Sequence, residues 1–329
     1  MSKEYWQERA RQNKLKIIKH GENNINMLKR RMLINLLDVK KQIKTFYDKY
    51  GEDYKQELTV QETVKYKKKL KKTVKKYPKD KTLKKILRDD APKYKIDRLR
   101  EFETQLQIGL SEITAQQETG VHKALIDTAN LSDNLVLKTI KDGANLTFNN
   151  FGMKKLEKIC NQNWIDGVNW SARIWKNREK LGRKLTTILS KGLPQGQSLQ
   201  KMSRELAKTL NQSYNDSFRL IRTESSHIDT QVTIDRYKSI QDELGEKLKY
   251  RFDAFLDNRT SKICKELNNK TFWLDDAVFG ENLPPMHPNC RSTINLLIDL
   301  EEKEEEKEED SVLNDLEKKN MVKMPLKMF

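Results

Sequence analysis

The segment ENLPPMHPNCR, residues 281–291, places a histidine and a cysteine three positions apart in a stretch rich in proline. Its prolines are Pro284, Pro285 and Pro288, three of the seven in a chain of 329 residues. Proline fixes its own φ and biases the preceding residue towards extended geometry. The sequence therefore predicts a stiff loop or turn, rather than a helix, that presents His287 and Cys290.

Imidazole and thiolate groups on a stiff loop suit a zinc ion, because both are good zinc ligands and a structural site uses four ligands. Cys264 is the third candidate ligand, and the candidates for the fourth are Asp253, Asp257 and His227. A structural zinc is the cofactor that this pattern suggests. A second interpretation stays open: the thiols pack as small hydrophobic groups, and the histidine donates to a backbone carbonyl.

Two further polar motifs precede this loop. In FDAFLDNRTSKIC, Asp257 or Thr260 is predicted to cap the helix that follows, and Arg259 to pair with an acid such as Glu224. In IRTESSHIDT, Arg222 and Glu224 lie two positions apart on a helix and are predicted to form separate salt bridges. The sequence shows no Ser/His/Asp grouping, glycine-rich phosphate loop or paired-carboxylate signature, so we expect a protein that is not an enzyme.

Secondary structure must position these residues, and helix dominates the pattern. Apolar residues recur every three or four positions in three long segments, 3–48, 55–76 and 94–141, and a separate helix is predicted at 218–240. Strand character appears late in the chain, at 249–257, 270–274 and 291–300. The predicted fold class is α+β: a long basic α-helical N-terminal region, then a compact helical domain with a small antiparallel sheet near the C-terminus.

Glycine and asparagine in DGANLTFNNFG, residues 142–152, mark the predicted domain boundary. The predicted domains are 1–150, 151–300 and an acidic, disordered tail at 301–329, where EEKEEEKEED holds eight acids and two lysines. The chain has no apolar run of about 18 residues, which predicts no membrane span. Its three cysteines are too scattered for a disulfide framework, which fits synthesis in a reducing, cytosolic compartment.

The net charge of +17 is concentrated in residues 61–100, which hold 17 Lys and Arg against five acids. A dense basic block is typical of a surface that binds phosphate backbones without reading sequence. The predicted contacts with double-stranded DNA are Lys65, Lys67, Lys68, Lys69, Lys71, Lys72, Lys75 and Lys76. Eight neutralised phosphates would give log K against log salt a slope of about −7. The alternative is a solvated helix face.

The three motifs together resemble a known family. An Arg-Thr-Glu helix, the segment Asp257-Asn258-Arg259-Thr260 followed by Cys264, and the ending PPMHPNCR are similar in order and spacing to the head-morphogenesis domain of Mu protein F-like minor head proteins of phages. The resemblance covers roughly 155–300. It departs from many relatives at Ser292, where those relatives have a second cysteine after the arginine.

The resemblance implies a minor structural protein of a tailed-phage virion, located inside the head and associated with the portal protein. It also implies a role in head assembly or genome delivery, with scaffolding or major capsid protein as further partners. The motif residues that it marks as structural are Arg222, Glu224, Asp257, Arg259, Thr260, Pro284, Pro285, Pro288 and Arg291. The helices at 3–48 and 94–140 are the predicted surfaces for portal docking or self-association.

An enzyme acting on nucleic acid is the alternative function. It would be a metal-dependent nuclease that uses His287, Asp253, Asp257 or Glu266. Cleavage of plasmid in the presence of a divalent metal distinguishes it from a structural protein.

Overall fold

The computed structural model describes residues 3–50, 53–192 and 194–298. In chain order its elements are α1 (Lys3–Tyr50), α2 (Val60–Lys76), α3 (Lys81–Asp90), α4 (Arg98–Ala144), α5 (Met153–Cys160), α6 (Trp170–Gly192), α7 (Leu199–Leu244), β1 (Lys249–Asp253), α8 (Lys262–Leu267), β2 (Thr271–Trp273), a 3-10 turn (Leu274–Asp276) and β3 (Thr293–Leu297). The predicted α+β class is confirmed. Within the described residues, no helix has the length and apolar character needed to cross a membrane.

Two compact units make up the chain. Of the described residues, those within 17–130 and 152–228 form the helical unit, and 3–16, 131–151 and 229–298 form the sheet unit. This division differs from the boundary predicted near 150, because α1, α4 and α7 each contribute one end to each unit. The predicted tail at 301–329 lies outside the described residues.

Four helices form the main core of the helical unit. Each contributes apolar residues at helical spacing, and the buried set is Leu36, Val39, Ile43, Phe46, Phe102, Leu106, Leu110, Leu181, Leu185, Leu189, Met202, Leu206 and Leu210. At Gly182 of α6 the backbone lies very close to α4, since a Cβ there would be 2.5 Å from Oε1 of Gln107. The long apolar repeats of the sequence are thus explained by a bundle of long helices.

Helices α2 and α3 pack on the same unit through a smaller core. Leu70, Leu83 and Ile96 are fully or almost fully buried in it. A capping box begins α2: the hydroxyl of Thr59 accepts from the backbone N–H of Glu62, and the Glu62 carboxylate accepts from the backbone N–H of Thr59. Such a cap stabilises a helix by about 1 kcal/mol. The lysine-rich helix therefore has one face fixed against the protein.

The sheet unit contains an antiparallel sheet with the strand order β2-β1-β3. Tyr250 of β1 pairs with Phe272 on one side and with Leu296 on the other. Buried residues from α1, α4 and α7 pack with the strands, among them Trp6, Ile140 and Ile240. The observed strands are shorter than predicted, because β1 ends at Asp253 and β3 begins at Thr293. The helix predicted at 218–240 is part of α7.

Candidate metal centre and basic surface

Cys264, His287 and Cys290 form a cluster in the sheet unit. The Sγ atom of Cys264 lies 3.4 Å from Nε2 of His287 and 3.7 Å from Sγ of Cys290. All three ligand atoms lie within 4.8 Å of one another. Both thiols are buried, with 2% and 4% of their residues' surface exposed. The three residues predicted as metal ligands are therefore brought together, as the spacing suggested.

Short, well-capped segments position the three side chains. Ser261 begins α8 by accepting from the backbone N–H of Cys264, which fixes the first turn that carries the thiol. The backbone N–H of Cys290 donates to the carbonyl of His287 at 3.1 Å, so the two loop residues share one turn. The peptide bond between Pro284 and Pro285 is cis. The proline-rich loop is thus an ordered turn that holds His287 and Cys290 beside α8.

Proton sharing within the cluster shifts the three pKa values in different directions. Hydrogen bonding from Cys264, and then from His287, lowers the pKa of Cys290. The same contact with Cys290, together with burial, raises the pKa of Cys264. Hydrogen bonding to Cys290 raises the pKa of His287. Without a bound ion, the cluster favours a thiolate at Cys290 that accepts hydrogen bonds from its two neighbours.

The residues predicted as a fourth ligand have other contacts. Asp253 is fully buried and accepts from Nε and Nη2 of Arg11 at 2.6 and 2.7 Å. Asp257 accepts from Nη2 of Arg291 at 2.6 Å. His227 stacks on Trp164, with the ring centroids 4.2 Å apart. None of the three belongs to the ligand group found among the described residues.

Ser292 is the side chain that the sequence analysis missed as a part of this cluster. Its side chain is hydrogen-bonded to both Cys264 and Cys290. The residue is buried, with 3% of its surface exposed. Its position two residues after Cys290, directly before β3, is the signal that could have identified it.

The DNRT motif is structural, but its contacts differ from the prediction. Ser261 caps α8 instead of Asp257 or Thr260, because it is the residue directly before the first helical position. Asp257 instead accepts from Arg291 and from the backbone N–H of Arg259. These contacts lower the pKa of Asp257 to about 2, with the Arg291 hydrogen bond as the largest cause. The motif therefore links the turn before α8 to the end of the proline-rich loop.

Arg222 and Glu224 form separate ion pairs, as predicted. Arg222 pairs with Glu22 at 2.5 Å, whereas Glu224 accepts from Arg173 and from the indole of Trp164, both at 2.9 Å. Glu224 was predicted as the partner of Arg259, and its Arg173 contact replaces that pair. Burial raises the pKa of Glu224 despite these two donors.

The outer face of α2 is a basic surface in the helical unit. Seven of the eight predicted DNA-binding lysines are exposed on it: Lys65, Lys68, Lys69, Lys71, Lys72, Lys75 and Lys76. The eighth, Lys67, is half-buried and donates to the carbonyls of Ala91 and Lys93 at 2.9 and 2.6 Å. Glu62 is the acid of α2, and it accepts from Arg98. The seven exposed ammonium groups thus form a continuous positive face.

These observations define a protein with a helical unit and a sheet unit. In the sheet unit, a proline-rich loop with Cys and His precedes the last strand. Residues 183–295 match the family model described as Phage Mu protein F like protein. This segment, which contains all three motifs, belongs to the Mu protein F-like family, and the family is one of phage head morphogenesis and of the virion.

Comparison with curated proteins gives one partial relative. A stretch of 112 residues is 28% identical to the NAD(+)–arginine ADP-ribosyltransferase EFV of Enterococcus faecalis. The match covers 34% of this chain and 23% of that protein, so the chain spans about a quarter of its relative. No solved structure matches the chain.

Proposed function

We propose that this phage head protein contacts packaged double-stranded DNA through the outer face of α2 and associates with the portal during head assembly or genome delivery. The observation that supports DNA binding most directly is the set of seven exposed lysines on one short helix. The inner face of that helix is buried, so its outer face stays in a fixed orientation. The protein would be made in the host cytoplasm and act inside the head.

The geometry of α2 suits a phosphate backbone. Lys65 and Lys76 are eleven residues apart, which corresponds to about 16 Å of helix. Duplex DNA carries one charge per ~1.7 Å of its axis, so several phosphates lie within that length. Because Lys67 is engaged with backbone carbonyls, seven lysines remain available. The expected slope of log K against log salt is therefore about −6 instead of −7.

A salt titration tests this proposal. We expect the full chain to shift unrelated DNA duplexes equally, with the slope given above. Replacing Lys68, Lys71, Lys72 and Lys75 by Gln removes four phosphate contacts and should reduce the slope to about −3. The matched control replaces four exposed lysines elsewhere, Lys123, Lys138, Lys154 and Lys158, by Gln. Absence of DNA binding, or equal losses in both variants, would contradict the proposal.

We further propose that the chain acts without catalysis. Two of the carboxylates that a nuclease would use, those of Asp253 and Asp257, are held by Arg11 and Arg291. Glu266 lies 3.7 Å from Lys262 and is exposed. Adding Mg²⁺, Mn²⁺ or Zn²⁺ to the same titration with supercoiled plasmid tests this: the plasmid should stay intact. Cleavage that is lost in His287→Ala would instead establish the nuclease.

The portal-docking surface that we propose is an exposed apolar stripe on α1. Met27, Leu33, Ile34 and Leu37 are each between 59% and 66% exposed, on a helix that buries Leu28, Met32 and Leu36 on its other side. A contiguous exposed apolar patch marks an interaction surface. The family association with the head makes the portal the partner that we propose, with a second copy of the chain as the alternative.

Two charged substitutions test the docking surface. Ile34→Asp with Leu37→Asp should abolish co-sedimentation with the portal oligomer of the same phage, because burying a carboxylate in an apolar contact is costly. The matched control, Asn26→Asp with Thr45→Asp, introduces the same charge at exposed polar positions of α1 and should bind normally. Loss of self-association in light scattering, with portal binding retained, would assign the stripe to a second copy.

A further inference from the structure

We propose that Cys264, His287 and Cys290 bind one Zn²⁺ ion, with the side chain of Ser292 facing the fourth coordination position. This site does not depend on DNA binding or on portal association. Its role is structural: the ion fastens α8 to the loop that precedes β3, and so closes the sheet unit.

Distances within the cluster fit a tetrahedral zinc ion. With Zn–S bonds of about 2.3 Å and Zn–N bonds of about 2.0 Å, tetrahedral ligands lie ~3.8 Å apart for two sulfurs and ~3.5 Å apart for sulfur and nitrogen. The corresponding separations are 3.7 Å between the two Sγ atoms and 3.4 Å between Sγ of Cys264 and Nε2 of His287. Two of the three donor separations therefore match those of a tetrahedral zinc site, and the third is no longer than 4.8 Å.

His287 is oriented so that Nε2 is the nitrogen available to a metal. Its Nδ1 lies 3.0 Å from the carbonyl oxygen of Pro288, which can only accept a hydrogen bond. Nδ1 must therefore carry a proton, so Nε2, which faces Cys264, is the nitrogen whose lone pair can bind a metal once its own proton is displaced. A backbone carbonyl on the second ring nitrogen is the arrangement that orients histidine ligands in zinc sites.

Burial and connectivity favour a structural site over a catalytic one. The two thiols pack with Phe252 and Ala254 in a small apolar cluster. Cys264 and Cys290 are 26 residues apart, and the segment between them contains α8, β2 and the proline-rich loop. An ion that joins the two ends of this segment restricts the unfolded chain, as a cross-link does.

Ser292 lies close to the cluster but offers a hydroxyl, and the described residues therefore contain three good zinc ligands instead of four. Hydrogen bonding by its side chain lowers the pKa of both thiols, so its hydroxyl is close to both sulfurs. A hydroxyl is a weaker zinc ligand than a thiolate, because zinc prefers Cys and His donors. The Ser292→Cys variant should complete a Cys₃His site, whereas Ser292→Ala should leave the three-ligand set in place.

Metal analysis of the full chain tests the site. Protein purified without chelator should contain close to one zinc per chain by plasma mass spectrometry. Cys290→Ser and His287→Ala should each lower this at least tenfold. Cys160→Ser is the matched control, since Cys160 is another buried cysteine outside the cluster, and it should keep its zinc. Full zinc in Cys290→Ser, or no zinc in the wild type after refolding with Zn²⁺, would overturn the proposal.

Cobalt substitution keeps the test informative when a variant folds poorly. Refolding the wild type with Co²⁺ should give a thiolate-to-cobalt charge-transfer band, and Ser292→Cys should increase its intensity by about half, as a third thiolate is added. The alternative is a disulfide between Cys264 and Cys290, and a thiol assay on the metal-free wild type detects it. A Cys264–Cys290 disulfide in freshly purified protein, with no band after refolding, would show a dithiol pair and overturn the zinc site.

Discussion

One polar cluster in each unit illustrates a different way of placing polar groups in the interior. In the helical unit, Arg178 and Asp80 are both almost completely buried and lie 2.7 Å apart as an ion pair. In the sheet unit, the buried cluster of Cys264, His287 and Cys290 brings three electron-pair donors together. A buried charge needs a partner of opposite sign or a metal. The ion pair is complete within the protein, whereas the cluster has the composition of a site that accepts a cation.

The buried ion pair stabilises the fold by itself, whereas the cysteine and histidine cluster is proposed to do so through a bound zinc ion. The ion pair is satisfied by neighbouring helices, with Ser111 donating to Asp80 and Arg178 donating to Gln107. Removing one member leaves the other buried without its counterpart. In the cluster, removal of the proposed zinc ion would have the equivalent effect, because it would leave the thiolates without their positive partner. A zinc chelator should therefore lower the free energy of unfolding through the cluster, and it should leave the contribution of the ion pair unchanged.

The largest effect should come from breaking the buried ion pair. Asp80→Ala leaves the Arg178 guanidinium buried without its acid, and it also removes the side chain that caps α3 at Leu83. We expect the free energy of unfolding to fall by about 3–5 kcal/mol. Chemical denaturation of the full chain measures this change, which should be unaffected by a zinc chelator.

An exposed pair on α3 provides the control. Arg88 and Asp89 lie 3.3 Å apart, with 76% and 38% of their side chains exposed. Asp89→Ala should change the free energy of unfolding by less than about 1 kcal/mol. A second comparison combines Asp80→Asn with Arg178→Met, which removes both charges and should cost less than Asp80→Ala. Equal losses in all three variants would contradict the assigned importance of the unpaired charge.

Local sequence patterns predicted the helices, and they selected three side chains, Cys264, His287 and Cys290, that lie close together in the structure. Apolar spacing revealed α1, and proline content revealed the loop at His287, because both signals act within a few residues. Pairings between distant segments were predicted poorly. Arg259 was predicted to pair with Glu224, yet Arg173 occupies that acid, since one sequence does not show which of many arginines lies nearest.

The division into units shows the same limit. Long helices were predicted correctly, but the folding of α1, α4 and α7 places the two ends of each helix in different units. A single boundary at 150 does not describe such an arrangement, because each unit combines segments from both sides of it. Lys67 likewise looks equivalent to its neighbours in sequence, and its contacts with Ala91 and Lys93 follow from the position of α3.

Glu103 of the helical unit is a buried acid without a close ion-pair partner, in contrast to Asp80. Its effect on stability should therefore depend on pH. It lies 3.8 Å from Arg100, whose guanidinium is engaged by Asp90 at 2.8 and 3.1 Å. Burial outweighs Arg100 and raises the pKa of Glu103 from an ordinary value of 4.5 to about 7. Between these values the folded chain holds a proton that the unfolded chain releases.

Stability should therefore fall as the pH rises from about 4.5 to about 7, and the loss should persist above pH 7, reaching at most about 3 kcal/mol. Glu103→Gln removes the titrating group, so its gain over the wild type should be small at pH 4.5 and largest at pH 8. Urea unfolding at both pH values measures it, with the exposed Glu112→Gln as the control. If the difference between Glu103→Gln and the wild type were the same at both pH values, the pKa of Glu103 would be the same in the folded and the unfolded chain, and Arg100 would offset its burial.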